Sequence, residues 1–172
     1  MTALAAAVGY LIGSLSIAVI YTKIKYRRDV RTQGSGNAGA TNVARVFGLG
    51  AGLLTFAGDG LKTAAAMLLG RFIAGEPGFI AAGAACLIGH AWPVFFGFKG
   101  GKGIACSTAV LLILFPWQGA VAVALCLLTI AVTRYVSLGS MILLFSYAVI
   151  VSVTMDFWPF AVWAIVIATI GI

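Results

Sequence analysis

Long apolar runs separated by short clusters of glycine and charge set the pattern of this chain. The first run covers residues 3–21 and ends in the basic cluster Lys23, Lys25, Arg27, Arg28 and Arg31. Its Gly9, Gly13, Ser14 and Ser16 make a small-residue face of the kind that lets helices approach closely within a membrane. A second run, 46–69, is interrupted by Asp59 and Lys62, and residues 71–78, with Gly75, Glu76 and Pro77, read as a turn. A third run, 79–98, carries His90 and Pro93 and is closed by Lys99-Gly100-Gly101-Lys102-Gly103. A short fourth run, 104–114, stops at Pro116. The fifth covers 118–133, and the sixth covers 138–154 after a polar break at 134–137. Asp156 caps the sixth, and a seventh begins near Phe157 and is still apolar at Ile172.

Composition turns these runs into membrane spans. Hydrophobic residues make up 62% of the chain and charged residues 9%, whereas a soluble domain carries about 25% charged residues. The 172 residues allow about seven short spans at ~20 residues each. The expected architecture is therefore all-α: a polytopic membrane helix bundle of about seven transmembrane helices. It is read as one domain over residues 1–172, with its seventh span incomplete at the C-terminus. The first run lacks a basic leader, so it reads as a span and not a cleavable signal.

Charge orients the bundle. With the N-terminus outside, Lys23, Lys25, Arg27, Arg28, Arg31, Arg45, Lys99, Lys102 and Arg134 fall on the inner side, and Arg71 stands outside beside Glu76 and Asp156. Cations gather on cytoplasmic loops, which favours this topology. The net charge of +7 thus resides in short inter-span loops facing the bilayer surface, and nucleic acid is not an expected partner. Cys86, Cys106 and Cys126 lie in or beside apolar runs without CxxC spacing and read as small packing residues.

Two polar stretches remain to carry chemistry. Residues 34–45, Gly-Ser-Gly-Asn-Ala-Gly-Ala-Thr-Asn-Val-Ala-Arg, combine glycines that let backbone N–H groups curl around an anion with Ser, Thr and Asn donors. Arg45 adds a fork that matches phosphate geometry. An oxyanion site is expected here in preference to a plain connector. In the second stretch, residues 89–103, the Gly-Gly-Lys-Gly run permits close backbone approach and supplies a point charge at Lys102. A helix begins just beyond, and its N-terminal N–H groups favour an anion. Glycine spacing excludes a Walker A loop. Lys99 reads as a headgroup-level cation.

His90 is the single histidine. It is either a hydrogen-bonded packing group or an intramembrane functional residue. Asp59 and Lys62, at i and i+3, are expected to pair on one helix face in a mainly structural role. Metal ligands are too few and scattered to suggest a metal, and no cofactor is expected. The inner loops hold one acid, Asp29, which lies outside both motifs. A site rich in phosphate donors and poor in bases points to phosphate-bearing substrates.

At these two stretches, and at residues 133–140 and 59–62, the chain resembles the bacterial acyl-phosphate:glycerol-3-phosphate acyltransferases of the PlsY type. The resemblance runs along essentially the whole chain. It implies an inner-membrane enzyme with its active site facing the cytoplasm. Such an enzyme transfers a fatty acyl group from acyl phosphate to the 1-hydroxyl of glycerol 3-phosphate. The products are lysophosphatidic acid and phosphate, the first acylation of phospholipid synthesis. By the same resemblance Ser35 and Arg45 belong to the reaction centre. Gly36, Asn37, Gly39, Thr41 and Asn42 cradle a phosphate. Lys102, with Gly100, Gly101 and Gly103, binds glycerol 3-phosphate, and Ser137 and Ser140 line the same pocket. The family also implies a segment of the form His-x-x-Asn-Ile-x-Arg after the last span, which this sequence does not contain, and a glycine where Thr63 stands. The competing reading is a transporter of a small phosphorylated anion, which suits intramembrane Asp59, Lys62 and His90 but requires a second, outward access route.

Overall fold

The computed structural model describes residues 1–155. Asp156 and the seventh apolar run lie outside the described residues. The helices are α1 (Thr2–Gly13), α2 (Ile17–Tyr26), α3 (Ala40–Phe47), α4 (Leu49–Ala91), α5 (Ile104–Leu114), α6 (Pro116–Thr133) and α7 (Val136–Met155). Short 3-10 turns stand at Val30–Thr32 and Val94–Phe96, and there is no strand among the described residues. Among the described residues, four stretches are long and apolar enough to cross a bilayer: Thr2–Tyr26, Leu49–Phe96, Pro116–Thr133 and Val136–Thr154. The chain divides into two compact units, Met1–Val110 and Leu111 onward.

The first unit is built on a hairpin within α4. The helical path breaks at Ala74 (φ −145°, ψ 25°) and Gly75 (φ 62°, ψ −149°), inside the turn expected from Gly75, Glu76 and Pro77. Beyond the break the chain folds back on itself. A Cβ at Gly70 would fall on the carbonyl of Gly78, and one at Gly78 on the carbonyl of Gly70. Gly83 backs onto Met67, and Cys86 Sγ lies 3.6 Å from Thr63 Oγ1. These pairings make the two arms antiparallel, so the second and third apolar runs are its two arms. Residues 48 and 92 then stand at the open end of the hairpin, and residues 74–75 at its closed tip.

Helix α1 packs on the second arm through the small residues expected to serve that purpose. A side chain at Gly9 would meet the backbone of Ala82, and one at Gly13 the backbone of Cys86. The first span is not continuous, however. It breaks over residues 14–16, where Ser16 caps α2 by accepting the Val19 N–H at 3.4 Å. The break frees the carbonyls of Gly13 and Leu15 from the helical ladder. The Lys62 ammonium takes both, at 2.9 and 2.8 Å. In hydrocarbon such a break persists only where the freed groups find partners.

Below the 34–45 stretch lies a small apolar core of Ala18, Val19, Val30, Ala38, Val43 and Ala51, flanked by Tyr21, Tyr26, Phe47 and Phe96. The stretch is not all loop: its second half is α3, which the sequence pattern did not suggest. Helix α5 has 11 residues, about 16 Å of rise against a ~30 Å hydrocarbon core. In the second unit, α6 and α7 join through Arg134, whose φ of 63° makes the turn. Gly139 closes onto Ile130 and the Cys126 carbonyl.

Candidate active site

The 34–45 stretch is organised around one buried side chain, Asn42. Its Oδ1 accepts the Ser35 N–H at 3.0 Å. Its Nδ2 lies within donating distance of the carbonyls of Val30 (3.2 Å), Gln33 (3.0 Å) and Asn37 (3.0 Å). Gly34 (φ 58°) and Gly36 (φ 74°) take left-handed backbone, which non-glycine residues rarely adopt. At Gly34 a side chain would also strike Asn42 Oδ1. The loop is thus wound around Asn42, leaving Ser35, Gly36, Thr41 and Arg45 exposed. Thr41 and Arg45 are four residues apart on α3 and share a face. Gly39 caps α3 without a side-chain bond, and its carbonyl accepts the N–H groups of Asn42 and Val43, both at 3.1 Å.

The second stretch closes onto the first. Gly101 donates its N–H to the carbonyl of His90 at 3.1 Å. A Cβ at Gly100 would fall on the His90 carbonyl. One at Gly101 would fall on His90 Nε2 and lie 2.9 Å from the carbonyl of Ala38. Only glycine fits where these three segments meet. Gly103 (φ 76°) completes the turn into α5, and Lys102 is exposed between two buried glycines. The two donor-rich stretches therefore meet at Ala38 and Gly101, at the open end of the α4 hairpin.

A strut outside both motifs ties them together. Arg31 Nη1 donates to the Phe96 carbonyl at 2.6 Å, and its guanidinium lies 5.8 Å from the Phe96 ring centre. Asp29 holds Arg31 through Nε at 3.1 Å and Nη2 at 2.8 Å, and Lys23 adds a contact at 3.2 Å. The Arg31 hydrogen bonds keep the Asp29 carboxyl well below the usual carboxylate range, although partial burial opposes them.

Beneath the second stretch lies a buried polar cluster. Lys62 Nζ is 3.0 Å from Asp59 Oδ1 and 3.1 Å from His90 Nδ1. Asp59 Oδ1 is 3.5 Å from His90 Nδ1. The donor atoms of Asp59, His90 and Cys106 gather within 4.8 Å of one another, a grouping the scattered sequence positions did not suggest. The Lys62 ammonium already supplies the positive charge beside Asp59 and His90. Cys106 Sγ also contacts the Asp59 carbonyl at 3.7 Å. Ser137 and Ser140 belong to the second unit, in the first turns of α7, where the Ser140 hydroxyl donates to the Val136 carbonyl at 3.0 Å.

A family model described as glycerol-3-phosphate acyltransferase matches residues 3–172. The chain belongs to that family. A glycerol-3-phosphate acyltransferase of Thermoanaerobacter sp. (strain X514) is 48% identical over 137 residues, covering 80% of this chain and 69% of the relative. The Bacillus anthracis glycerol-3-phosphate acyltransferase 2 is 42% identical over 153 residues, covering 87% and 80%. Among solved structures, the glycerol 3-phosphate form of PlsY (YgiH), an integral membrane glycerol 3-phosphate acyltransferase, superposes with a TM-score of 0.89. It is 34% identical and covers 99% of this chain and 86% of that one. The lysophosphatidic acid form of the same enzyme gives a TM-score of 0.84 at 32% identity, over 98% and 85%.

Within this acyltransferase, three features escaped the sequence reading. Asn42 stood among the expected phosphate ligands, but its amide is engaged by the loop's own backbone, so it shapes the loop from inside. Arg31 stood in a generic basic cluster, and only the Asp29 spacing of i and i+2 hinted at a local pair. The bridge from His90 to Gly101 spans a chain reversal and has no local signature.

Proposed function

We infer that this glycerol-3-phosphate acyltransferase takes its acyl group from acyl phosphate and passes it to the 1-hydroxyl of glycerol 3-phosphate, releasing lysophosphatidic acid and phosphate. The observation that carries the reading is the meeting of two anion-suited loops at Ala38 and Gly101. Such an arrangement suits two phosphate-bearing substrates better than one. In this reading Ser35, Arg45 and Thr41, with the backbone at Gly36, Asn37 and Gly39 and the start of α3, hold the acyl phosphate. Asn42 holds the loop. Lys102, with Gly100, Gly101 and Gly103, receives the phosphate of glycerol 3-phosphate. The family match across residues 3–172 supports reading the two units as one acyltransferase domain.

The chemistry needs no covalent intermediate, because acyl phosphate is already activated. The glycerol hydroxyl oxygen bonds to the acyl carbon, the carbon–oxygen bond to phosphate breaks, and the hydroxyl proton passes to the departing phosphate. Arg45 and the loop N–H groups steady the developing negative charge. Neither loop contributes a carboxylate, and the nearby Asp29 is held by Arg31. Positioning two substrates in line supplies ~7–11 kcal/mol of barrier reduction. The acyl chain lies in the bilayer while both phosphates stay at the membrane surface. The excess of cations on the loops at the open end of the hairpin supports a cytoplasmic site in a bacterial inner membrane, with the N-terminus outside and about seven spans.

Reconstitution into liposomes with acyl phosphate and glycerol 3-phosphate tests this directly. Phosphate and lysophosphatidic acid should appear in equal amounts. Product formed from acyl-CoA and not from acyl phosphate would reject the donor.

A further inference from the structure

The buried cluster of Asp59, Lys62 and His90 offers more than the structural pairing its sequence spacing suggests. All three side chains are nine-tenths or more buried, at the end of the α4 hairpin that carries the second loop. An ammonium has three N–H donors. Those of Lys62 face four acceptors: the carbonyls of Gly13 (2.9 Å) and Leu15 (2.8 Å), His90 Nδ1 (3.1 Å) and Asp59 Oδ1 (3.0 Å). Two donors are taken by the carbonyls of the broken first span. The third has hydrogen-bonding geometry toward His90 Nδ1, whereas Asp59 Oδ1 is in charge contact without a hydrogen bond.

A ring nitrogen that accepts from an ammonium carries no proton of its own. In a neutral imidazole the proton is then on the other nitrogen. The titratable groups gathered on His90 are Asp59 and Lys62 from the first arm of the hairpin and the Cys106 thiol from α5. An Nδ1 that accepts from Lys62 leaves the hydrogen on Nε2, and the 3.1 Å contact itself fits either tautomer. Nε2 is the atom on which a Gly101 side chain would fall. The second contact of His90 with the loop runs through its carbonyl, which accepts the Gly101 N–H at 3.1 Å.

We propose that Lys62, charge-balanced by Asp59, locks His90 as a hydrogen-bond donor under the seam of the two substrate loops, making all three positioning residues for the Lys102 loop and leaving His90 without a role as base. The proposal rests on the acyltransferase reading for its kinetic arm only. Lys62 acts at both ends: it satisfies the break in the first span and fixes the tautomer of His90. The loop that presents Lys102 is thereby referenced to two spans at once.

His90 is the single histidine in the chain, so 15N labelling of the full protein in detergent gives one imidazole spectrum. A protonated Nε2 with a hydrogen-free Nδ1 at neutral pH is expected. The reverse tautomer, or an imidazolium with both nitrogens protonated, overturns the proposal. This readout does not depend on activity, so it stands or falls separately from the assigned reaction. The kinetic arm compares two variants. His90→Gln keeps a donor at the place of Nε2 and should stay within a few-fold of the parent in KM for glycerol 3-phosphate. His90→Asn withdraws that donor and should raise the same KM by ~10- to 100-fold, the scale of loss from a misplaced binding group, with kcat changed far less and the pH–rate profile unmoved. A His90→Gln protein that melts like the parent yet loses the acidic limb of its pH profile and ~10³ in kcat would make His90 the base. Should the Asn variant fail to fold, Gly101→Ala presses the loop away from His90 Nε2 while Asp59, Lys62 and His90 are all retained, and an unchanged KM there would reject the positioning role.

Discussion

Lys102 and Lys99 are three positions apart and differ in what holds the backbone around them. Gly101 on one side of Lys102 is buried against His90 and Ala38, and Gly103 on the other is locked in left-handed backbone. Lys99 follows the exposed Phe98 and Gly97. A fixed backbone lets a charge discriminate, because less freedom remains to be lost when a ligand binds. Removing a charge-assisted contact costs ~1.5–3 kcal/mol, roughly 10- to 150-fold. Lys102→Ala should raise KM for glycerol 3-phosphate by that factor, and Lys99→Ala should leave it nearly unchanged. Equal effects in steady-state assays would remove the specific role of Lys102. Ser35, Thr41 and Arg45, which the residue types of the 34–45 stretch mark as candidate anion ligands, stay exposed in the fold. Asn42 is the exception, since an amide flanked by polar neighbours reads the same in sequence whether it faces solvent or the loop's own carbonyls.

At the scale of elements, the two loops are held in register by devices of different kinds. Gly75 sets the α4 hairpin through conformation alone: φ is 62°, ψ is −149°, and nothing lies within 4 Å of the place a Cβ would take. Gly75→Ala therefore meets no clash, yet it should lower stability by ~1–3 kcal/mol through backbone strain. Denaturation in detergent measures this, and an unchanged midpoint would mean the tip relaxes freely. The Asp29–Arg31 strut is electrostatic. Because Arg31 depresses the Asp29 carboxyl in the folded state, the folded protein binds fewer protons than the unfolded chain in acid. The contribution is fully present above the ordinary carboxylate value of about 3.9 and is lost as pH falls below it. The stability difference between the parent and Asp29→Asn should thus be flat from pH ~5 to ~8 and shrink only below ~4. A difference that fades near neutrality would point to another titrating group.

For the molecule as a whole, the hairpin links topology to function. Residues 48 and 92 flank its open end, so the loops at 34–45 and 97–103 share one face of the first unit, while Glu76 sits by the tip. Single cysteines at residues 37 and 102 should label from the cytoplasmic side and one at residue 76 from the outside. Buried Cys86, Cys106 and Cys126 give little background. Labelling of residue 37 from the outer face alone would reverse the orientation and separate the site from cytoplasmic glycerol 3-phosphate.

Hydropathy and loop charge by themselves determined that the chain is a helical membrane protein. Its two glycine-rich, cation-bearing stretches named the acyltransferase family. These features are local: a span needs only a run of apolar residues, and a phosphate cradle needs glycines and donors close together in sequence. Contacts between distant segments were decided by the fold alone. The break in the first span makes sense only once Lys62 is seen to take the carbonyls of Gly13 and Leu15. The link of Arg31 to Phe96 crosses 65 residues. The setting of His90 depends on an arm reversal that brings Lys62, Asp59 and Gly101 around one ring. Hydrogen bonds and buried charges act over about 3 Å, and sequence spacing carries no information about which remote atoms will come that near.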